Sequence, residues 1–69
     1  MKISARNVLK GTVTKIVKGV VNPEVSIALT DGTEIISIIT RSSLKNLGLK
    51  KGKEVYAVIK ASNVMIAID

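Results

Sequence analysis

The sequence contains no cysteine and no histidine. Disulfides and the usual zinc or iron sites are therefore excluded, and a short chain must find its stability elsewhere. The same two absences remove the common catalytic nucleophile and the common general base. Aromatics are almost missing: Tyr56 stands alone, with no Phe or Trp. One ring cannot build the stacking platform that holds single-stranded nucleic acid. The acids are Glu24, Asp31, Glu34, Glu54 and Asp69, five in all, placed mostly at turns and strand ends as solvated groups. Carboxylates so scattered exclude the oxygen cage of a bare metal cation. No segment approaches the roughly 20 apolar residues of a membrane-spanning helix. The opening MKISARNVLKG lacks the continuous apolar core of a signal peptide. The expectation is a soluble, cytoplasmic protein with no membrane partner.

What is present is a chain of 69 residues, enough for one domain over 1–69. A domain of this size buries only about 60% of its unfolded surface. With disulfides and metals excluded, and 46% of the residues hydrophobic, self-association is the remaining means of stabilisation. Lys and Arg number 11, for a net charge of +6. That excess suits an anionic partner (nucleic acid, an acidic surface or a small oxyanion), besides serving solubility.

No linker, repeat or low-complexity tract divides the chain. NVLKGTVTKIVK, residues 7–18, reads as a long strand with Leu9, Val13 and Val17 on one parity and Gly11 as a bend or bulge. Gly19, Asn22 and Pro23 punctuate a loop. EVSIALT, 24–30, alternates cleanly with Val25, Ile27 and Leu29 on one face. Asp31-Gly32 signals a hairpin, and 33–39 return as a third strand. TRSSLKNLGLKKG then changes period to a short helix. Thr40, Ser42 or Ser43 would cap it, Leu44 and Leu47 would point inward, and Gly48 with Leu49 would end it. Strands over 54–60 and 63–68 complete the pattern. The expectation is an all-β fold with one short helix: a five-stranded OB-like barrel, with the helix between strands three and four. Ile35, Ile36, Ile38 and Ile39 load both faces of strand three, and Val58 and Met65 add further outward bulk. One face can fill a barrel; the other points to a second subunit. Burying each such side chain would contribute about 1.5–3 kcal/mol before association costs.

Which chemistry do the residues permit? Lys60 beside Ser62 superficially resembles a Ser-Lys pair, but nothing else supplies an oriented catalytic site. No catalytic residue is assigned. A tetrahedral oxyanion offers only acceptors, so its site needs convergent N–H and O–H donors, one or two cations, and no carboxylate. Three segments meet this description. Ser4-Ala5-Arg6 combines a hydroxyl, a guanidinium and free amides before strand one. Thr40 to Ser43 offers hydroxyls and N–H groups at the start of the helix. Lys60-Ala61-Ser62 adds an ammonium and a hydroxyl between the last strands. Each has a plain alternative, a helix cap for Thr40 or Ser43 and a solvated lysine for Lys60, and composition alone does not name the ligand. The competing reading is an OB-type single-stranded nucleic-acid-binding module, which the single tyrosine and the scattered cations weaken.

SARNVLKGTVTKIVKGVVNPEV, with IITRSSLKNLGLKKGKEVYAVIKASNVMIA, resembles the molbindins, the small Mop proteins built from the TOBE domain. The likeness rests on S-A-R-N, G-x-V, I-T-x-x-S, L-G-L-x-x-G and I-K-A-S, and it covers essentially the whole chain. It implies an OB-like barrel assembled as a homohexamer, a trimer of dimers. It also implies molybdate or tungstate as ligand at subunit interfaces, a role in intracellular storage or homeostasis, no enzymatic activity, no cofactor and no nucleic-acid partner. Matched by motif, the interface site would use Ser4, Ala5, Arg6, Thr40, Ser43, Lys60, Ala61 and Ser62. Arg6 and Ala61 would act partly through main-chain N–H groups, and Lys60 as the direct charge partner. A second site on threefold axes would draw on Gly19, Val20 and Asn22 of KGVVN. There Pro23 departs from the Ala or Ser of relatives and removes one N–H.

Overall fold

A computed structural model describes all residues 1–69. The element order is β1 (Asn7–Lys18), β2 (Pro23–Leu29), β3 (Glu34–Ile38), α1 (Arg41–Asn46) and β4 (Glu54–Ile59), followed by a 3-10 turn at Ala61–Asn63. The strands form one antiparallel sheet in the order β3-β2-β1-β4. β1 is long enough to serve two neighbours along different halves. Asn7 to Thr12 pair with β4, and Gly11 to Lys18 pair with β2.

The irregularity in β1 lies three residues from where the sequence places it. The register shifts between Val13 and Lys15, leaving Thr14 unpaired with its hydroxyl donating to the Ser26 carbonyl at 3.3 Å. A glycine in a strand marks either a bulge or a close approach, and Gly11 is the second case. A Cβ there would lie 2.6 Å from Ile27 Cγ2 and 2.7 Å from the Ala28 carbonyl oxygen. The bulge also overturns the single parity expected for Leu9, Val13 and Val17. Val13 is buried, but beyond Thr14 it is Ile16 that packs on the core while Val17 is exposed. An unpaired residue in a ladder reverses the facing of everything after it.

The Asp31-Gly32 hairpin forms as its residues dictate. Gly32 takes φ +91°, and the Asp31 carboxylate accepts from the Thr33 N–H at 2.9 Å. α1 is capped by the Thr40 hydroxyl, which accepts from the Ser43 N–H at 3.1 Å. It ends on Gly48 at φ +60°: the Gly48 N–H returns to the Lys45 carbonyl at 3.0 Å, and the Leu49 N–H to the Leu44 carbonyl at 3.1 Å. This pair of bonds closes a helix through a left-handed glycine and brings the flanking leucines together. Leu47, expected to point inward, is exposed as the C-cap.

Val13, Val25, Ile27, Leu44 and Ala57 form the core, which α1 reaches through Leu44. Fully burying a side chain such as Val13 or Val25 stabilises by about 1.5–3 kcal/mol. Only eight of 69 residues are buried, while Ile36, Ile38, Tyr56 and Val58 face outward. Both faces of β3 are thus apolar, as the sequence implies. The fifth strand, expected over 63–68, is absent. After the Val64 N–H reaches the Ala61 carbonyl, the tail makes no backbone hydrogen bond, and Met65, Ile66 and Ile68 are each more than 90% exposed. A strand exists only by pairing, and the tail finds no edge within its own chain. The sheet is therefore open and four-stranded. The edges of β3 and β4 face each other across an apolar gap lined by Ile35, Ile38, Tyr56 and Ile59, among others.

Candidate oxyanion-binding site

Antiparallel pairing decides which of the three donor segments meet. Asn7 opposes Ile59 at the end of the β1–β4 ladder. The residues just before β1 and just after β4 are therefore neighbours. Ser4, Ala5, Arg6, Lys60, Ala61 and Ser62 line one open hollow of about 310 Å3. None of the lining residues is acidic, and two carry positive charge. The N–H groups of Ser4, Ala5 and Arg6 make no hydrogen bond within the chain. The 3-10 turn after β4 is fixed by the Asn63 N–H donating to the Lys60 carbonyl at 2.8 Å. Its extended entry at Lys60, φ −62° and ψ +131°, carries the chain off the ladder at the hollow. Cations and unpaired donors together can hold a dianion through charge-assisted hydrogen bonds.

Thr40 and Ser43 lie outside this hollow. Their hydroxyls engage each other: Thr40 Oγ1 donates to Ser43 Oγ at 2.9 Å and lies 3.2 Å from Ser42 Oγ. The Ser43 hydroxyl keeps its own proton for a further acceptor. The helix cap expected of Thr40 is thus observed, and it leaves the Ser43 hydroxyl proton without an acceptor in the cluster.

Gly19, Val20 and Asn22 form the β1–β2 loop, and their N–H groups, with that of Val21, are also free of hydrogen bonds within the chain. Sequence reasoning missed the residue that holds this loop. Arg41 Nη2 donates to the Gly19 carbonyl at 2.7 Å and to the Val20 carbonyl at 3.2 Å. Arg41 also belongs to a groove of about 830 Å3 whose cations are Lys18, Arg41, Lys45, Lys50 and Lys51, without a carboxylate. Four of these five cations fall within residues 35–53, a stretch with five basic residues and no acid, so the groove's charge was legible in the sequence.

Two ionisable groups are displaced from their ordinary values, and neither lines the hollow. A hydrogen bond to Glu54, then its charge, raises Lys10, and their ion pair spans 3.0 Å. The Thr33 N–H lowers the Asp31 carboxyl. No group of three or more His, Cys, Asp or Glu side chains gathers anywhere to hold a metal ion. No helix is long and apolar enough to cross a membrane.

Known proteins similar in sequence and fold give the site a context. The family model for the TOBE domain matches residues 3–66. Molybdenum-pterin-binding protein 1 of Clostridium pasteurianum is 50% identical over 96% of this chain and 97% of its own length. The chain spans only a quarter of MopA of Rhodobacter capsulatus, a molybdenum-pterin-binding protein 51% identical over 97% of this chain. Among solved structures, MopII of Clostridium pasteurianum superposes with a TM-score of 0.91 at 48% identity, covering 97% of this chain and all of its own. ModG, described as a cytoplasmic molybdate-binding protein and solved with molybdate bound, gives 0.89 at 54% identity, covering 94% of this chain and 46% of its own. This chain therefore belongs to the TOBE-domain family, with the Mop proteins among its relatives.

Proposed function

We propose that the chain is a cytoplasmic, non-enzymatic binding protein for molybdate or tungstate, serving storage or homeostasis of the oxyanion. The observation that carries this reading is the carboxylate-free hollow in which Ser4-Ala5-Arg6 meets Lys60-Ala61-Ser62. In it, Lys60 and Arg6 offset the charge of the dianion. The Ser4 and Ser62 hydroxyls and the main-chain N–H groups of Ala5, Arg6 and Ala61 donate to its oxygens. A hollow open to solvent on one side needs a further wall. The Thr40 and Ser43 hydroxyls of a second copy would provide it, which makes the interface part of the site.

The assembly we propose is a homohexamer, a trimer of dimers. Its motive is the apolar surface already described: the outward isoleucines of β3, the gap between β3 and β4, and the unpaired tail. Seating the tail of a second copy in that gap would complete a five-stranded OB-like barrel and pair the open edges. Gly19, Val20 and Asn22 would form the second, threefold-axis site.

Calorimetric titration of the oligomer with molybdate tests the reading, with saturable heat expected. Heat indistinguishable from dilution would overturn it. Salt-sensitive binding of a single-stranded oligonucleotide through Tyr56 would favour a nucleic-acid module instead.

A further inference from the structure

The β1–β2 loop is held from one side only. Arg41 reaches across from the first residue of α1 and takes two successive carbonyls, those of Gly19 and Val20, on a single guanidinium nitrogen. All peptide bonds in the chain are trans. In a planar trans peptide the C=O and the following N–H point in opposite directions. Fixing the Gly19 and Val20 carbonyls on Arg41 therefore directs the Val20 and Val21 N–H groups to the far side of the loop. Neither N–H donates to any atom of the chain. The valine side chains are 96% and 77% exposed.

Two successive N–H groups facing one way can both donate to one anion. The cation behind them acts in the same sense, because a guanidinium bonded to the carbonyl end of a peptide polarises its N–H end. We infer that Arg41 is a positioning residue: it presents the Val20 and Val21 N–H groups as a two-donor cradle for a tetrahedral oxyanion at the β1–β2 loop. The inference rests on the oxyanion reading above and deepens it at the weaker site, where Val21 joins Gly19, Val20 and Asn22. It also explains how the loop can serve despite Pro23, since the two donors lie upstream of the missing N–H.

The test is a titration of the 15N-labelled oligomer with molybdate, following amide signals residue by residue. The Val20 and Val21 signals should move saturably. In Arg41→Met, apparent affinity should fall at least tenfold more at these amides than at those of Ser4, Ala5 and Arg6. Arg41→Lys keeps the charge but not the planar fork, and should lose at least fivefold at the loop. Still Val20 and Val21 signals, beside moving signals at Ser4 to Arg6, would overturn the cradle and leave the hollow standing. Wild-type loop affinity in Arg41→Lys would overturn the positioning role, since charge alone would then suffice. If no signal moves anywhere, the oxyanion reading itself falls. The wild-type titration and Arg41→Lys decide the matter even if Arg41→Met does not fold.

Discussion

Gly11 and the Ala28 carbonyl approach so closely that a Cβ on Gly11 would lie 2.7 Å from that oxygen. The neighbour is backbone inside a paired ladder, so it cannot swing aside as a flexible side chain would. Gly11→Ala should destabilise the fold by about 1–3 kcal/mol through overpacking. Thermal melting against wild type at equal protein concentration checks this. An unchanged melting temperature would mean that the β1–β2 spacing relaxes freely.

Thr40 combines two roles that a single substitution can separate. Aspartate is as good an N-cap as threonine or better, so Thr40→Asp should hold stability within about 1 kcal/mol. It also places a carboxylate where the proposed oxyanion would sit, and molybdate affinity should fall at least tenfold. Melting and titration of the same variant give both readings. Retained affinity would remove Thr40 from the site.

Lys60 has no salt-bridge partner within the chain, where the one ion pair joins Lys10 and Glu54. Lys60→Ala should therefore leave sedimentation unchanged while weakening molybdate binding by tenfold or more. Equal affinity in the two proteins would assign the charge role elsewhere.

The tail offers a test of assembly. Met65, Ile66 and Ile68 are almost fully exposed and unpaired. Deleting residues 64–69 should yield a species of lower mass in sedimentation, because the proposed exchange of tails is lost. An oligomer of the same order would show that contacts other than the tail hold it.

Asp31 gives a pH dependence of defined sign. Its carboxyl is lowered because the ionised form accepts the Thr33 N–H. A lowered carboxyl contributes stability that is fully present above the unfolded aspartate pKa, about 3.9. That contribution is lost as pH falls through the lower, folded value. Asp31→Asn should flatten this acid limb of the melting profile without altering its course at neutral pH. An identical acid limb in the variant would show that other carboxylates govern it.

Local grammar was the most legible part of the fold. The bounds of β1, the hairpin at Asp31-Gly32, the Thr40 cap and the Gly48-Leu49 helix ending all follow from residues near one another in sequence. The bulge was misplaced because glycine marks two different backbone situations, and only the neighbouring strand distinguishes them. The fifth strand carries a strand-like pattern at Val64, Ile66 and Ile68, but a pattern does not supply an edge to pair with. The meeting of Ser4–Arg6 with Lys60–Ser62 could be anticipated from their shared chemistry, while its cause, the pairing of Asn7 with Ile59, is a matter of register. Arg41 escaped notice because its partners are carbonyls, and carbonyls have no residue type to read.

Thr14 shows how much geometry one unpaired residue can determine. Because the ladder slips at that point, Ile16 turns to the core, and β1 enters the loop one half-turn out of phase with its own beginning. Pairing Thr14 into the ladder would restore strict alternation and invert the far end of the strand, sending Ile16 into water and Val17 inward. The loop that follows would then start with its peptide planes reversed, carbonyls where N–H groups now stand. The facing of the residues that lead into this loop is thus set by an irregularity five residues upstream of Gly19.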